Sequence, residues 1–185
     1  MRILIVDYQM VLIFALLATA KSVTEYIAYR HQNRDGGSQS STFISRYFII
    51  VGALTPVLIL TEILIWQRQL SPAITLPCAA IYVGALALRV LSVRELGRFY
   101  SVNIRILPEH ELIQTGIYRY LRHPIYLVAL LENIVYPVAA SAVYSAIVLT
   151  VLMTPAILIR RQQEEICLLE QFGASYVAYR KTTWF

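Results

Sequence analysis

"IYLVALLENIVYPVAASAVYSAIVLTVLMTPAILI", Ile125 to Ile159, contains a single charged residue, Glu132. A helix needs roughly 20 apolar residues to cross the hydrocarbon core of a bilayer. The stretch is therefore too long for one crossing and rather short for two. Pro137 and the Val138-Ala139-Ala140-Ser141 that follow it offer a break, which turns the stretch into a tight helical hairpin. Three more apolar runs lie upstream, at Ile3 to Ala20, Arg46 to Trp66 and Pro72 to Leu91. Together they predict an all-α integral membrane helical bundle of about five spans. Composition agrees: 58% hydrophobic and 15% charged residues with a mean hydropathy of +0.60 lie well outside the range of soluble domains. The chain reads as one membrane domain over residues 1–185. Residues 1–91 hold three N-terminal spans, and residues 92–185 hold the hairpin and an amphipathic C-terminal tail.

The first apolar stretch has a second reading as a signal peptide, since Ala18-Thr19-Ala20 resembles a cleavage site, but Asp7 spoils the basic region such a peptide needs. "NRDGGSQSS", Asn33 to Ser41, is the one plain flexible loop. Only Cys78 and Cys167 occur, without the spacing of a disulfide framework or a metal site, so no metal is expected.

The formal charge of +5 does not point to nucleic acid, because the basic residues flank apolar spans, where they serve topology and anionic headgroups. With the N-terminus outside, every one of the 16 Lys and Arg except Arg2 and Arg68 falls on the cytoplasmic side. The polar segments Arg89 to His123 and Arg160 to Phe185 then share the cytoplasmic face.

That shared face gathers a particular set of residues. "RYLRHP", Arg119 to Pro124, opens the fourth span, and "RRQQEE", Arg160 to Glu165, closes the fifth, so the hairpin brings both to one depth. Proline suits a first helical turn, whose free N–H groups can face an anionic group or a carbonyl. His123 and Tyr126 stand three apart and Arg160 and Glu164 four apart, so each pair can present one face. Taken singly, Arg119, Arg122 and Tyr120 read as interface anchors. Taken with the carboxylates of the facing helix end, the cluster reads as a cytosol-facing ligand pocket.

Gly116, Tyr118, Arg122, His123, Pro124 and Tyr126, followed after the hairpin by Glu164 and Glu165 and then by Phe172, Gly173, Tyr176 and Tyr179, form an ordered pattern. In it the chain from about Asn103 to Phe185 resembles the isoprenylcysteine carboxyl methyltransferases, integral membrane enzymes that use S-adenosylmethionine. The resemblance implies a cofactor pocket built by the C-terminal half. It implies cofactor contacts from His110, Glu111, Leu112 and Ile113, from Tyr118, from His123, Pro124, Ile125 and Tyr126, and from Glu164, with Asn103 at a further, loosely aligned position. It places the substrate-contacting arginine at Arg160. Gln162 and Gln163 stand where the family's acidic run is longer, which bears on the acceptor more than on the cofactor.

Methyl transfer from a sulfonium is an in-line displacement, so the protein must align the acceptor oxygen and exclude water. A lipophilic acceptor, a small molecule or a lipidated peptide, can enter laterally from the membrane lipids. If its reacting group is a carboxylate, as on a prenylated cysteine, it is already nucleophilic and Arg160 positions it. If it is a phenol or pyrone hydroxyl, as on an alkyl polyketide, His123 or a glutamate must serve as base. The arginine at the family position favours the carboxylate, with Arg160 and His123 as the catalytic pair. Glu132 and Glu62 lie within apolar runs, where a carboxyl is costly. Glu132 reads either as a helix-packing partner or as lining of the substrate tunnel, and Glu62, near Trp66, as a structural residue that snorkels outward. Two rivals are a sterol-reductase-like enzyme using a nicotinamide dinucleotide, against which Pro124 and the short chain argue, and a non-enzymatic membrane scaffold, which would need none of the spaced polar residues.

Overall fold

The computed structural model describes residues 12, 16–23, 26, 42–67, 69, 71–101 and 111–185. Most of the first apolar run, the Asn33 to Ser41 loop, Asn103 and His110 lie outside the described residues. Within them the fold is all-helical, and the only bridge between extended segments is an isolated parallel one joining Leu121 to Trp184. After a helical stretch at residues 16–23 come α1 (Thr42–Trp66), α2 (Pro72–Leu96), a 3₁₀ turn (Gly97–Phe99), a second 3₁₀ turn (Gly116–Arg119), α3 (Pro124–Ala139), α4 (Val143–Phe172) and α5 (Ala174–Thr182).

Three helical stretches are long and apolar enough to cross a membrane: Arg46–Trp66, Pro72–Phe99 and Val143–Phe172. Large apolar side chains such as Ile49, Val57, Ile65, Leu76, Val83 and Val151 face outward from them, the surface expected of a protein solvated by lipid. α3, at 16 residues, spans about 24 Å, short of the roughly 30 Å hydrocarbon core. Three long spans and one short apolar helix thus stand in the described residues where five spans were expected. α2 also runs to Leu96, past the apolar run that ends at Leu91, which places Arg94 as well as Arg89 inside the helix.

The hairpin forms, with its turn just beyond the proline. Pro137 is accommodated inside α3, two residues from its end, where the helix is about to stop. The chain then reverses through residues 140–142. Ser141 adopts φ +59, its amide bonds Val138 O at 2.9 Å, and the Ala142 amide bonds Pro137 O at 2.8 Å.

α4 begins at an alanine N-cap, Ala142, which has no side-chain acceptor for the free amides of the first turn. Glu62, near the C-terminal end of α1, supplies one. Its carboxylate accepts from the Tyr144 amide (3.1 Å), the Ser145 amide (2.6 Å) and the Ser145 hydroxyl (2.7 Å). The expectation that Glu62 snorkels is therefore wrong in direction: it is 3% exposed and points inward, because the positive end of α4 stabilises it better than the interface would.

Two apolar clusters hold the helices together. Ile59, Tyr82, Leu86, Val135, Tyr136 and Ala139 form one, with Tyr82 and Tyr136 stacked at 5.4 Å. Val51, Leu149, Met153 and Ile157 form the other, with Phe48, Tyr126 and Ala129 packed against it. Gly173, at φ +50, then turns the chain from α4 into α5, which docks through buried Tyr176 and Tyr179.

Candidate functional site

His123 is the N-cap of α3 and Pro124 its first residue, so the helix begins at the motif itself. Extended backbone on both sides fixes this entry. The Trp184 amide donates to Tyr120 O (2.8 Å), the Arg122 amide to Trp184 O (3.0 Å), and the His123 amide to Phe185 O (3.1 Å). The Arg122 side chain ties down the same segment, donating to Arg180 O at 2.8 Å and Thr183 O at 2.6 Å. Arg122 is thus an internal clamp rather than an interface anchor.

The far end of α4 faces this entry. Glu165 lies 3.2 Å from His123 Nε2, 3.2 Å from Arg161, 3.8 Å from Arg122 and 4.0 Å from Arg180. Glu164 lies 3.8 Å from His123 Nδ1. Both ring nitrogens therefore face carboxylates, and the imidazole, only 4% exposed, is held edge-on between them with Tyr126 beside it at 5.5 Å. One turn back along α4, Arg160 donates from Nε to the Tyr126 hydroxyl (3.2 Å) and lies over the Phe48 ring at 5.8 Å.

The 3₁₀ turn before the motif is built around Gly116. Its φ is +53, and a β-carbon there would stand 2.6 to 2.8 Å from the carboxylate of Glu95, which accepts a short hydrogen bond from Thr115. The turn buries Tyr118, whose carbonyl accepts from the Tyr179 hydroxyl at 2.6 Å. Burial, with the Glu164 carboxylate second, pushes the Tyr118 phenol well above its ordinary pKa, and burial pushes Tyr179 up to about 12. Both phenols stay protonated at neutral pH.

These elements surround one cavity of about 670 Å³. Of the residues expected to bind cofactor, Glu111, Leu112, Ile113, Tyr118, His123, Ile125, Tyr126 and Glu164 all line it. So do Arg160 and Glu132. Pro124 is buried but does not line the cavity, and its part is to start the helix. Glu111 stands in an exposed part of the wall, 3.9 Å from Arg98.

From the His123 end the cavity follows a single face of α3 past Tyr126, Ala129, Glu132 and Asn133 to Tyr136, with α1 and α4 opposite. Its polar end is lined by Arg160, Glu164 and His123, and its long arm mainly by apolar residues such as Gly52, Ala53, Met153 and Ile157. Arg89, on α2, was read only as a topology charge. It lies in the cavity wall and pairs with Glu132 at 2.6 Å. Two opposite charges inside neighbouring apolar runs were the signal for that pair. Glu165 and Arg122 were read from the motif without a role in the site, and nothing local marks the contacts they make across the hairpin.

The family model described as isoprenylcysteine carboxyl methyltransferase (ICMT) matches residues 78–170, which include α3, nearly all of α4 and most of the cavity wall. The uncharacterized protein YpbQ of Bacillus subtilis is 22% identical over 162 residues, covering 86% of this chain and 96% of the relative. An uncharacterized protein of Haemophilus influenzae is 29% identical over 97 residues, 52% of this chain and 56% of the relative.

Proposed function

The chain belongs to the isoprenylcysteine carboxyl methyltransferase family, and on that premise we propose that it is a membrane-embedded, S-adenosylmethionine-dependent O-methyltransferase acting on the carboxylate of a lipophilic acceptor. The observation that carries the reading is the two-ended cavity, in which a polar compartment at the His123 end continues into an apolar arm along α3.

The residues at the polar end fit the cofactor. About 670 Å³ lies within the roughly 300 to 1,000 Å³ of small-molecule sites. Glu164, with about a third of its side chain exposed, offers a carboxylate to an ammonium or a ribose. Tyr118 and Tyr126 offer aromatic faces to a base or a sulfonium, and the Glu111 to Ile113 segment closes one side. When bound, S-adenosylmethionine supplies a sulfonium methyl that passes to a carboxylate oxygen and leaves a thioether, so no proton has to be removed.

Arg160 then has the task of orienting the acceptor carboxylate by charge-assisted hydrogen bonding, with Tyr126 holding the guanidinium in place. His123 positions rather than deprotonates. Its Nε2 pairs with Glu165 at 3.2 Å, and its Nδ1 stands 3.8 Å from Glu164, beside the carboxylate that lines the cavity. The walls from α1, α3 and α4 exclude water, and the apolar arm takes the lipophilic tail, entering from the membrane. The positive-inside pattern puts this site and the C-terminus on the cytoplasmic side and the N-terminus outside.

The test is the pH dependence of methyl transfer to a lipophilic carboxylate at saturating cofactor. A carboxylate of ordinary pKa, about 4, is ionised throughout, so turnover is nearly flat from about pH 6 to 9. A steep rise across that window, abolished by His123→Gln, would overturn the carboxylate reading in favour of a phenol or pyrone hydroxyl.

A further inference from the structure

The apolar arm of the cavity is closed at its far end. Counting away from His123, Pro56 on α1, Arg89 on α2, Tyr136 on α3 and Met153 on α4 are the last residues of their helices to line it. One turn further on, Ile59, Leu86, Ala139 and Leu149 are buried in the two apolar clusters and do not reach it. Tyr136, stacked on Tyr82 at 5.4 Å and only 3% exposed, forms the end wall.

The helices that meet at Arg160 give the depth of the arm. Phe48 and Tyr126 both touch its side chain, at 5.8 and 3.2 Å, and so mark the polar level on α1 and α3. From that level the helical rise puts the last lining residue about 15 Å away on α3, about 12 Å on α1 and about 10 Å on α4. A fully extended chain advances about 1.2 Å per bond, so the arm takes roughly eight to twelve carbons of a straight tail. Gly52 leaves the bore open midway. It lines the arm about 6 Å beyond the level of Phe48, and a β-carbon there would meet nothing within 4 Å.

We infer that the arm is a blind socket that selects the acceptor by the length of its tail, with Tyr136 as the floor and Gly52 as the position that keeps the bore clear. The acceptor then carries its carboxylate on a straight chain of roughly eight to twelve carbons. A longer chain strikes the floor before its carboxylate reaches Arg160, and forfeits that charge-assisted contact. This rests on the proposed methyl transfer only for which end reacts. The depth comes from the helices alone.

Dodecanoate and octadecanoate, each titrated by calorimetry into the full chain in one detergent, test it. The wild-type protein binds dodecanoate at least about tenfold more tightly, the range of one hydrogen bond to a charged partner. Tyr136→Ala deepens the socket and brings the two acids to within about threefold of each other, whereas Gly52→Leu obstructs it and weakens dodecanoate by at least about tenfold. All three proteins meet the acids in the same detergent, so partitioning into micelles cancels between them. Equal affinities in the wild type, no binding of either acid, a preference that survives in folded Tyr136→Ala, or dodecanoate affinity unchanged in Gly52→Leu would overturn the assignment. Gly52→Leu adds its side chain to open space, so the test stands even where Tyr136→Ala fails to fold. S-adenosylhomocysteine, titrated separately, reports on the methyl-transfer reading alone: its failure to bind rejects that reading and leaves the length preference to stand or fall on its own data.

Discussion

Gly116 and Arg160 show two ways in which one residue shapes this site. Gly116 needs a positive φ, and it has no room for a side chain, because its missing β-carbon faces the Glu95 carboxylate. Gly116→Ala combines backbone strain with displacement of Glu95 from Thr115, and thermal unfolding in detergent should show a loss of roughly 1 to 3 kcal/mol. The companion variant Glu95→Ala/Gly116→Ala relieves the collision and should recover part of it. On the proposed reading Arg160 serves acceptor binding rather than folding. With its acceptor-facing charge gone, Arg160→Gln should raise the Michaelis constant for a carboxylate acceptor by at least about tenfold, with cofactor affinity little changed. The motif residues were legible in the sequence because their spacing is local: the His123-Pro124 junction is itself the start of a helix, and Arg160 and Glu164 are one turn apart on another. Glu62 and Arg89 were not. What each does is decided by a partner 82 or 43 residues away, and no local pattern records the register of one helix against another.

At the scale of elements, the hairpin of α3 and α4 sets the geometry. Its ends place the His123 entry against the Glu164 and Glu165 end of α4, and its turn rests on the cap that Glu62 provides. Glu62→Ala leaves the first-turn amides of α4 without an acceptor inside the protein, and should cost roughly 1 to 3 kcal/mol in thermal unfolding. The effect should be structural, lowering the midpoint while S-adenosylhomocysteine affinity at low temperature is kept. The break in the long apolar run could be read from Pro137 and the small residues after it, but its position could not. A proline near a helix end is tolerated, and the reversal waits for Ser141, which reaches positive φ. The end of α2 was misplaced for a similar reason. Arg94 lies beyond the apolar run, yet the helix continues to it because Arg89 has a buried carboxylate to meet and Arg94 falls in the last turn, where cations are favoured.

For the whole molecule, orientation and chemistry make separate predictions. A reporter fused after Phe185 should be cytoplasmic and one placed in the loop at residues 67–71 should not be, and the reverse pattern would contradict the positive-inside reading. Composition and the apolar runs made the membrane bundle readable from the start. That one cavity would join the motif residues to Arg89 and Glu132 depended on how α1, α2 and α4 pack around α3. The central claim is that the polar end of this cavity holds S-adenosylmethionine, with Glu164 as its charged contact. Calorimetric titration of the detergent-solubilised protein with S-adenosylhomocysteine and with the reduced nicotinamide dinucleotide phosphate tests it most directly. The account predicts saturable binding of the first and none of the second, with Glu164→Gln weakening the first by about 1.5 to 3 kcal/mol. Binding of the nicotinamide dinucleotide instead, or S-adenosylhomocysteine affinity unchanged in Glu164→Gln, would contradict it.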